Sequence, residues 1–436
     1  MRKFISVPLA AASIMVLAAC ATGGEGGSSS SSAGGEAAVS GDRELLIWVD
    51  VVREPAAKQY AEKVAGDIKV TVEVVAQEEM IPKIALANQI GEGWPDLVFA
   101  PPNDIAIWAD PSNGYALALD DYVDSAIFEG YEGSNGWCLI DGKFYCLKND
   151  LAQTVLWYDT VVFEELGLEV PTTFDEFATE ALKLQGTGFT AGAIGDQGFY
   201  AGYLWPSGCP MTSVVDSATV RINPDAPECS RVWNTIQPLV DAGVLDTRSA
   251  FDAGFIADVA KAGKVAMHIG PSWWGEFVIR PADSWGIPEG RIGAAPMPTW
   301  AGESVNYSGE WGGGIWAASA RSLNPQDAAD AIVYLATSLE VETDGVTFPG
   351  YRPAYEAWSE RLDNDPYYAI SPVAAMTVQA SKIRQSENPV RFNAQGQIGA
   401  TLQAGLNGGD SVEASTRSFI DSLKQLAPGG GYTVVD

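Results

Sequence analysis

Two adjacent tryptophans follow a glycine–proline pair in the second half of the chain. Trp273 and Trp274 come shortly after Gly270 and Pro271, at the end of an apolar stretch that predicts a β-strand. Neighbouring loop positions have no helical period that would direct both rings into a core. An aromatic side chain buries about 150–250 Å² and suits the apolar C–H face of a ring-shaped ligand. We predict that at least one of these indoles faces a ligand; the alternative is packing at a hinge.

Hydrogen-bonding side chains lie after two predicted strands and before a run of three glycines. Ligands of parallel α/β sheets bind at the carboxyl ends of the strands. The candidates are Asp50 and Arg53 after the first strand, Asn103 and Asp104 after the third, and Glu310 and Trp311 before the glycines. Together with the indoles they favour a neutral, hydroxyl-rich ligand, because a phosphate-like anion needs basic groups and helix amino termini. For Glu310 and Trp311 the alternative is packing between domains, and for each of the other polar residues it is a solvated loop or a helix cap.

Catalysis requires spacings that this sequence does not offer. A glycoside hydrolase needs two carboxylates about 5 Å apart for retention or roughly 6.5–9.5 Å for inversion. Asp50, Asp104 and Glu310 can be nominated, but no spacing selects them among the many acidic residues. The single histidine, His268, lies in an apolar strand, where we predict a core side chain with its hydrogen bonds satisfied. We expect no catalytic residue, no metal and no cofactor.

The five cysteines predict one modified residue and two disulfides. Cys138 and Cys146 flank a predicted hairpin whose loop we expect at residues 141–143, and that loop would set the two cysteines opposite each other. Cys209 and Cys229 then pair by elimination. Neither spacing resembles a zinc site.

The amino terminus has the features of an export signal. Residues 1–19 combine a basic start with an apolar stretch too short to span a membrane. They end in small residues before Cys20, which resembles the bacterial lipobox and implies cleavage there and lipidation of Cys20. Residues 20–40, rich in Gly, Ser and Ala, predict a flexible linker. The alternative is an ordinary secretory cleavage site with an accidental cysteine.

Chain length and net charge narrow the number of domains and the class of partner. About 396 residues follow the linker, which exceeds what one core usually supports and predicts two domains. The formal net charge of −30 disfavours nucleic acid as a partner, since phosphate backbones would be repelled.

Apolar runs and helical spacings alternate along the first hundred residues. Strands are predicted at 45–49, 68–74 and 96–99, with helices between them, which indicates a parallel sheet with helical crossovers. A second block begins near Leu151 with a strand at 154–158 and a helix that Thr173 caps in a capping box. Trp48, inside the first strand, is predicted as core, and residues 428–431 as the end of the ordered body.

The order of these segments resembles that of the maltose-binding-protein-like extracellular solute-binding proteins (family 1). The stretches that carry the resemblance are 45–49 (LLIWV), 95–99 (PDLVF), 141–145 (DGKFY), 156–159 (LWYD), 171–177 (PTTFDEF), 263–267 (GKVAM), 293–298 (GAAPMP) and 312–316 (GGGIW). The resemblance implies an α/β fold of type II with two lobes, each a mainly parallel sheet flanked by helices, and a ligand cleft between them. We expect the first lobe at 41–148 plus 263–318 and the second at 149–262 plus 319–436.

The resemblance also implies roles for particular residues. Arg53, Asn103 and Asp104 align with sugar-contacting positions, although Ala100 replaces an aromatic residue of some relatives and leaves a preference for maltose in doubt. Further implied contacts in the second lobe are Gln197, Phe199, Tyr200, Trp205 and, more weakly, Arg352. Trp205 has an alternative role in packing under the second disulfide.

The expected function is that of a monomeric carbohydrate-binding subunit of an ABC importer, lipid-anchored on the outer face of a bacterial membrane. It would capture a mono- or oligosaccharide and deliver it to the permease. The alternatives are a lipid-anchored glycoside hydrolase, a non-sugar ligand on the same fold, and a sensor that does not transport.

Overall fold

The structure is a computed structural model that describes residues 43–436 apart from 113, 132–133 and 386–388. The described residues all belong to one compact unit, Asp42–Asp436. The predicted signal peptide, the lipidated Cys20 and the linker lie outside the described residues.

The strands of the described residues are short, and several are buried along their whole length. They are β1 (Glu44–Val49), β2 (Lys69–Val74), β3 (Leu97–Ala100), β4 (Leu139–Ile140), β5 (Lys143–Phe144), β6 (Leu147–Leu151), β7 (Thr154–Asp159), β8 (Ser213–Asp216), β9 (Thr219–Arg221), β10 (Met267–Pro271), β11 (Ile292–Ala295), β12 (Gly314–Ala318), β13 (Phe348–Pro349) and β14 (Thr433–Val435).

The helices range from single turns to four turns. They are α1 (Glu54–Lys63), α2 (Gln77–Ile90), α3 (Ile105–Trp108), α4 (Ser125–Glu129), α5 (Thr160–Leu166), α6 (Phe174–Leu182), α7 (Gln197–Phe199), α8 (Trp205–Ser207), α9 (Pro227–Asp241), α10 (Ala253–Phe255), α11 (Pro325–Thr337), α12 (Leu339–Glu342), α13 (Arg352–Asp363), α14 (Val373–Ala380), α15 (Gln395–Gln397), α16 (Ala404–Gly408) and α17 (Val412–Leu426). A wider turn at 200–204 joins α7 to α8 into one helical segment, 197–207.

A six-stranded sheet has the strand order β13-β6-β12-β3-β1-β2. As predicted, β1 is parallel to β2 and β3, because α1 and α2 serve as crossovers between them. The rest of the sheet differs from the predicted parallel pattern, since β12, β6 and β13 are antiparallel to their neighbours. Helices α1 and α11 cover one face and α2 and α3 the other, so alternate residues of β1 enter two different cores. Trp48 is buried in one of these cores, as predicted.

A second sheet has β7 at its centre, with β10 and β11 antiparallel on either side. Parallel bridges from Thr190 to Val265 and from Ala193 to Asp246 extend it. Helices α6, α9 and α17 contribute to the large apolar cluster beside this sheet. Only Ala152 and Gln153 separate β6 of the first sheet from β7 of the second.

Strand pairing divides the chain differently from the expected lobe boundaries. β10 and β11 fall in the segment 263–318 that we expected in the first lobe, yet they pair with β7 in the second sheet. Conversely, α11 packs on the six-stranded sheet and β13 pairs with β6, although residues 319–436 were expected in the second lobe. Hydrogen bonding between distant strands decides membership of a sheet, and the order of segments along the chain does not contain that information.

Both predicted disulfides are present, Cys138–Cys146 and Cys209–Cys229. The hairpin loop is one residue shorter than predicted: Ile140 pairs with Lys143, so the turn consists of Asp141 and Gly142 alone. Both turn residues have positive φ, 49° and 80°, which is the pattern of a type I′ turn that matches the twist of the strands. Cys138 consequently faces Tyr145 across the hairpin rather than Cys146, and the disulfide closes the base diagonally.

The ends of several elements test the local predictions. Thr173 and Glu176 form the predicted capping box at the start of α6. Asn324 precedes α11, but its side-chain amide donates to the carbonyl of Glu44 instead of capping the helix. The prediction that order ends at 428–431 is wrong, because β14 follows and pairs in parallel with β9.

Gly142→Ala should lower the free energy of unfolding by about 1–2 kcal/mol, because an L-residue is strained at this positive φ. Gly136→Ala is the matched control: a Cβ at either position meets no atom within 4 Å, but Gly136 lacks the positive φ. Thermal or urea unfolding of both variants measures the difference. Equal stabilities would contradict the assigned turn.

Candidate functional site

A cavity of about 690 Å³ opens beside the crossing from β6 to β7. One wall comes from the turn before β4 and from β6, and the other from α13, α14 and the residues after α14. Its lining residues are Tyr131, Ser134, Gly136, Trp137, Lys148, Leu151, Glu310, Phe348, Pro349, Gly350, Arg352, Tyr355, Thr377, Ala380, Ser381, Ile383 and Gln385. Both its volume and its mixed apolar and polar lining are typical of a small-molecule site.

Trp137 provides the largest flat surface of the cavity. Its half-buried indole stacks on Trp205 with ring centroids 5.5 Å apart and planes 14° from parallel. Trp205 is itself fixed, because its indole N–H donates to the carbonyl of Arg384 at 2.8 Å. A second aromatic pair lines the opposite wall, where Tyr355 stacks on Phe348 at 4.5 Å. The cavity therefore offers aromatic surfaces on two sides.

A buried ion pair forms the floor of the cavity. Lys148 Nζ lies 2.8 Å from Glu310 Oε2, and the two side chains are only 2 % and 3 % exposed. The second oxygen of Glu310 accepts the backbone N–H of Ala152 at 3.2 Å, and Lys148 Nζ lies 5.4 Å from the Trp137 ring centroid. Each charge is neutralised within the protein, so the floor presents polar atoms with no net charge to a ligand.

A much smaller cavity lies on another side of Trp137. It has room for roughly one water molecule and is lined in part by Asn103, Tyr200 and Gln395. The Tyr200 ring is 5.7 Å from that of Trp205. Trp137 thus separates the large cavity from three of the predicted site residues, Asn103, Tyr200 and Trp205.

The predicted pair Asp50 and Arg53 belongs to a charge cluster away from the large cavity. Asp50 Oδ1 accepts the backbone N–H groups of Val52 and Arg53, which closes the turn from β1 into α1. The Arg53 guanidinium donates to Asp150 Oδ1 at 3.0 Å and lies 4.3 Å from the Phe99 ring centroid. Burial, followed by the nearby charge of Asp150, raises the pKa of Glu342 beside this cluster.

The predicted tryptophans at 273, 274 and 311 pack against one another. Trp274 has no exposed surface and stacks on His268 at 4.7 Å. Trp273 is half-buried, and its indole N–H donates to the carbonyl of Trp311 at 2.8 Å. Trp311 is 5.1 Å from Trp274 and only 8 % exposed. In this conformation the cluster fills the core beside the second sheet, and none of the three lines the large cavity.

His268 is buried as predicted, but its hydrogen bonding differs from the prediction, because Nε2 has no hydrogen-bond partner. Burial lowers its pKa to about 3. Asp104 is also buried, which raises its pKa to about 7. Phe199 lies in the core against Tyr203, and Gln197 is half-buried at the start of α7.

Of the predicted site residues, the large cavity brings together Glu310 and Arg352. Arg352 begins α13 at the rim, where its guanidinium also pairs with Glu356 at 3.0 Å. The sequence predictions missed Trp137, Lys148 and Tyr355. Trp137 carries a usable signal, a tryptophan between a glycine and a disulfide cysteine, whereas Lys148 has none because its partner is 162 positions away.

A family model described as "Bacterial extracellular solute-binding protein" matches residues 55–367. The chain belongs to this family. A curated relative of the solute-binding protein is an arabinooligosaccharide-binding protein from Halalkalibacterium halodurans, 24 % identical over 151 residues, which are 32 % of this chain and 33 % of the relative. The match thus spans about a third of that relative's length.

Solved structures confirm the two-lobe type II fold of the solute-binding protein. One is the ABC transporter associated binding protein of B. animalis subsp. lactis Bl-04 in complex with β-1,6-galactobiose, with a TM-score of 0.72, 22 % identity, and coverage of 91 % of this chain and 100 % of that chain. Another is the galacto-N-biose-/lacto-N-biose I-binding protein of Bifidobacterium longum with lacto-N-biose, with a TM-score of 0.75, 18 % identity, and coverage of 91 % and 99 %.

In the described residues of the solute-binding protein, no helix is long and apolar enough to cross a membrane. Within the same part of the chain, no group of three or more His, Cys, Asp or Glu residues is placed to hold a metal ion.

Lys148→Met should lower the free energy of unfolding by about 3–5 kcal/mol, because it leaves the Glu310 carboxylate buried without its cation. The double variant Lys148→Met/Glu310→Gln should recover a large part of that loss, since no buried charge then lacks a partner. Denaturant unfolding of the parent, both single variants and the double variant forms a thermodynamic cycle. Additive losses would show that the two side chains do not interact.

Because of the His268 imidazole, the free energy of unfolding of the parent protein should fall as the pH is lowered from 6.5 to 3. Its folded-state pKa of about 3 lies below the unfolded value near 6.5, so over this range the unfolded chain binds a proton that the folded chain does not. Relative to His268→Phe, the free energy of unfolding of the parent should fall by up to about 1.4 kcal/mol for each pH unit of acidification. Urea unfolding at several pH values measures this difference; parallel curves would mean that His268 is not buried in the neutral form.

Proposed function

We propose that this solute-binding protein captures a neutral oligosaccharide and delivers it to the permease of an ABC importer. The observation that carries the proposal is the cavity of about 690 Å³, which combines the Trp137 surface with the neutralised pair of Lys148 and Glu310. The cavity lies where the six-stranded sheet passes into the second sheet, and its lining combines β6 and β13 of the first with α14, which packs against β7 of the second.

The lining matches the chemistry of a sugar. A pyranose ring has apolar C–H faces, which stack on aromatic surfaces such as Trp137 and Tyr355. Its hydroxyl groups need hydrogen-bond partners, and the side-chain oxygens of Ser134, Thr377 and Ser381 can accept from them at the cavity wall. Ser134 and Ser381 already donate their own protons to the carbonyls of Gly350 and Val378. An anionic ligand would need cations without partners, but Lys148 is already paired with Glu310. The balance favours an uncharged, hydroxyl-rich ligand.

The relatives support the same class of ligand. The two structural relatives were solved in complex with β-1,6-galactobiose and lacto-N-biose, and the curated relative is named for arabino-oligosaccharides. If each CHOH group takes roughly the 30 Å³ of a water molecule in the liquid, a hexose needs about 180 Å³. The cavity then has space for two or three sugar units with some water.

Binding is proposed to proceed by closure of two lobes. We place β1–β6 with β12 and β13 in the first lobe and β7–β11 with β14 in the second. Two contacts link these parts across the cleft: Trp137 stacks on Trp205, and Arg391 Nε lies 3.5 Å from Asp110 Oδ2. A ligand that touches both lobes only in the closed state shifts the population toward it, and the permease would recognise that state.

The remaining assignments belong to the same proposal. Cys20 would carry the lipid, residues 20–40 would tether the folded part, and the protein would act as a monomer that binds its ligand without transforming it. Among the predicted ligand contacts, Glu310 and Arg352 keep that role, and Asn103, Tyr200 and Trp205 would act around Trp137. Asp50, Arg53, Phe199 and the tryptophans at 273, 274 and 311 would serve packing.

A panel of β-1,6-galactobiose, lacto-N-biose, arabino-oligosaccharides and maltotetraose tests the proposal by thermal shift, since a ligand of the native state raises the melting temperature. At least one sugar should produce a concentration-dependent rise. Chromatography of the same mixtures after long incubation should return the sugar unchanged. Products of hydrolysis would favour a glycoside hydrolase instead. A melting temperature that no sugar raises would contradict the proposed carbohydrate ligand.

Trp137→Ala should weaken binding of the best panel sugar by tenfold or more, which corresponds to about 1.4 kcal/mol, because the ligand loses its largest aromatic surface. Trp94→Ala is the matched control: Trp94 is also half-buried but bonds to Asn88 and does not line the cavity. Isothermal titration calorimetry measures both affinities. An unchanged affinity in Trp137→Ala would exclude this indole from the site.

A further inference from the structure

The turn that carries Trp137 has little regular structure of its own. Trp137 lies in a single 3₁₀ turn, Gly136–Cys138, and the hairpin that follows has only two residues in each strand. Isolated two-stranded hairpins are marginally stable in water. Something beyond the local backbone must therefore hold the indole at its place above Lys148.

Two covalent and polar bridges join this turn to β6. Cys138, next to Trp137, is bonded to Cys146, which immediately precedes β6, and both cysteines are fully buried. Asn135 forms the second bridge, because its side-chain oxygen accepts the N–H of Lys148 at 2.7 Å while its amide donates to the carbonyl of Cys146 at 3.3 Å. Both bridges end within two residues of Lys148.

The two disulfides differ in what they hold. Cys209–Cys229 connects the end of α8 to α9 within the large core of the second sheet. The nearby Trp205 does not depend on that bond for its position, because it lies in the helical segment 197–207 and bonds to the carbonyl of Arg384. Cys138–Cys146 instead joins the residue next to the Trp137 indole to a residue two positions before Lys148.

We infer that the Cys138–Cys146 disulfide positions Trp137 over the Lys148–Glu310 pair and thereby sets the affinity for the ligand. The inference rests on the proposed function for its effect on binding, but the position of the indole can be measured without any ligand. Removing this disulfide would leave the turn joined to β6 by Asn135 alone, and the less constrained indole would then have to be ordered at the moment of binding. That ordering cost lowers affinity.

The test compares the double variants Cys138→Ala/Cys146→Ala and Cys209→Ala/Cys229→Ala. The second disulfide closes the longer loop, with a separation of 20 residues against 8, so its loss should lower the melting temperature at least as much. Each variant is titrated with β-1,6-galactobiose, lacto-N-biose and maltotetraose below its melting temperature. We expect affinity to fall at least fivefold in the first variant and less than twofold in the second. Equal losses in both would overturn the inference.

A ligand-free measurement keeps this result separate from the proposed function. The fourteen tryptophans are replaced by 5-fluorotryptophan, and Trp137→Phe assigns the ¹⁹F resonance of Trp137. Cys138→Ala/Cys146→Ala should shift or broaden that resonance, and Cys209→Ala/Cys229→Ala should leave it in place. An unmoved resonance in the first variant would overturn the inference even if no sugar binds. Should the parent bind no panel sugar while the resonance moves, the positioning role stands and the carbohydrate assignment fails.

Asn135→Ala provides a second variant in case the first does not fold. It keeps both disulfides but removes the polar bridge to Lys148 and Cys146. The Trp137 resonance should move in the same direction as in the disulfide variant. A resonance identical to that of the parent would show that the turn holds its position without β6.

Discussion

A lysine and a glutamate that are almost completely buried meet where the chain passes from one sheet to the other. Burying two charges costs several kcal/mol per ion unless each finds a partner and its remaining hydrogen bonds. Lys148 and Glu310 meet that requirement together, and Glu310 also accepts the N–H of Ala152 in the two-residue connection between β6 and β7. The pair therefore ties the start of this connection to β6, and the cavity floor carries polar atoms without net charge.

The neighbouring aromatic residues take two different roles because of this geometry. Trp273, Trp274 and Trp311 pack against one another in tilted and edge-on arrangements, and Trp274 also stacks on His268. Together they fill the volume beside the second sheet. Trp137 lies on another side of the crossing, where it stacks on Trp205 and lines the cavity. Tryptophan thus packs the core in one place and offers a candidate ligand surface in another. Only the surrounding residues distinguish these two roles.

Buried ionisable groups outside the cavity have structural explanations. Arg53 pairs with Asp150 and lies against Phe99, so it joins the turn after β1 to β6. Glu342 lies close enough to Asp150 for its pKa to be raised by that charge as well as by burial. His268 is kept neutral by burial against two tryptophans. Burial shifts the pKa values of Glu342 and His268, so these two groups contribute to how stability varies with pH, whereas the cavity floor consists of a neutralised pair.

The sequence by itself determined the features that depend on neighbouring residues. Buried strands such as β1 and β3, the capping box of Thr173 and the Cys138–Cys146 pairing followed from short-range patterns. The second disulfide followed by elimination, and the order of motifs along the chain indicated the fold. The tertiary structure decided which strands share a sheet, that β14 pairs with β9, and which tryptophan lines the cavity. Lys148 and Glu310 are 162 positions apart, and the contact between them arises only when distant strands pair. Local patterns specify the elements, but a binding site is made of contacts between elements, and those depend on how the whole chain packs.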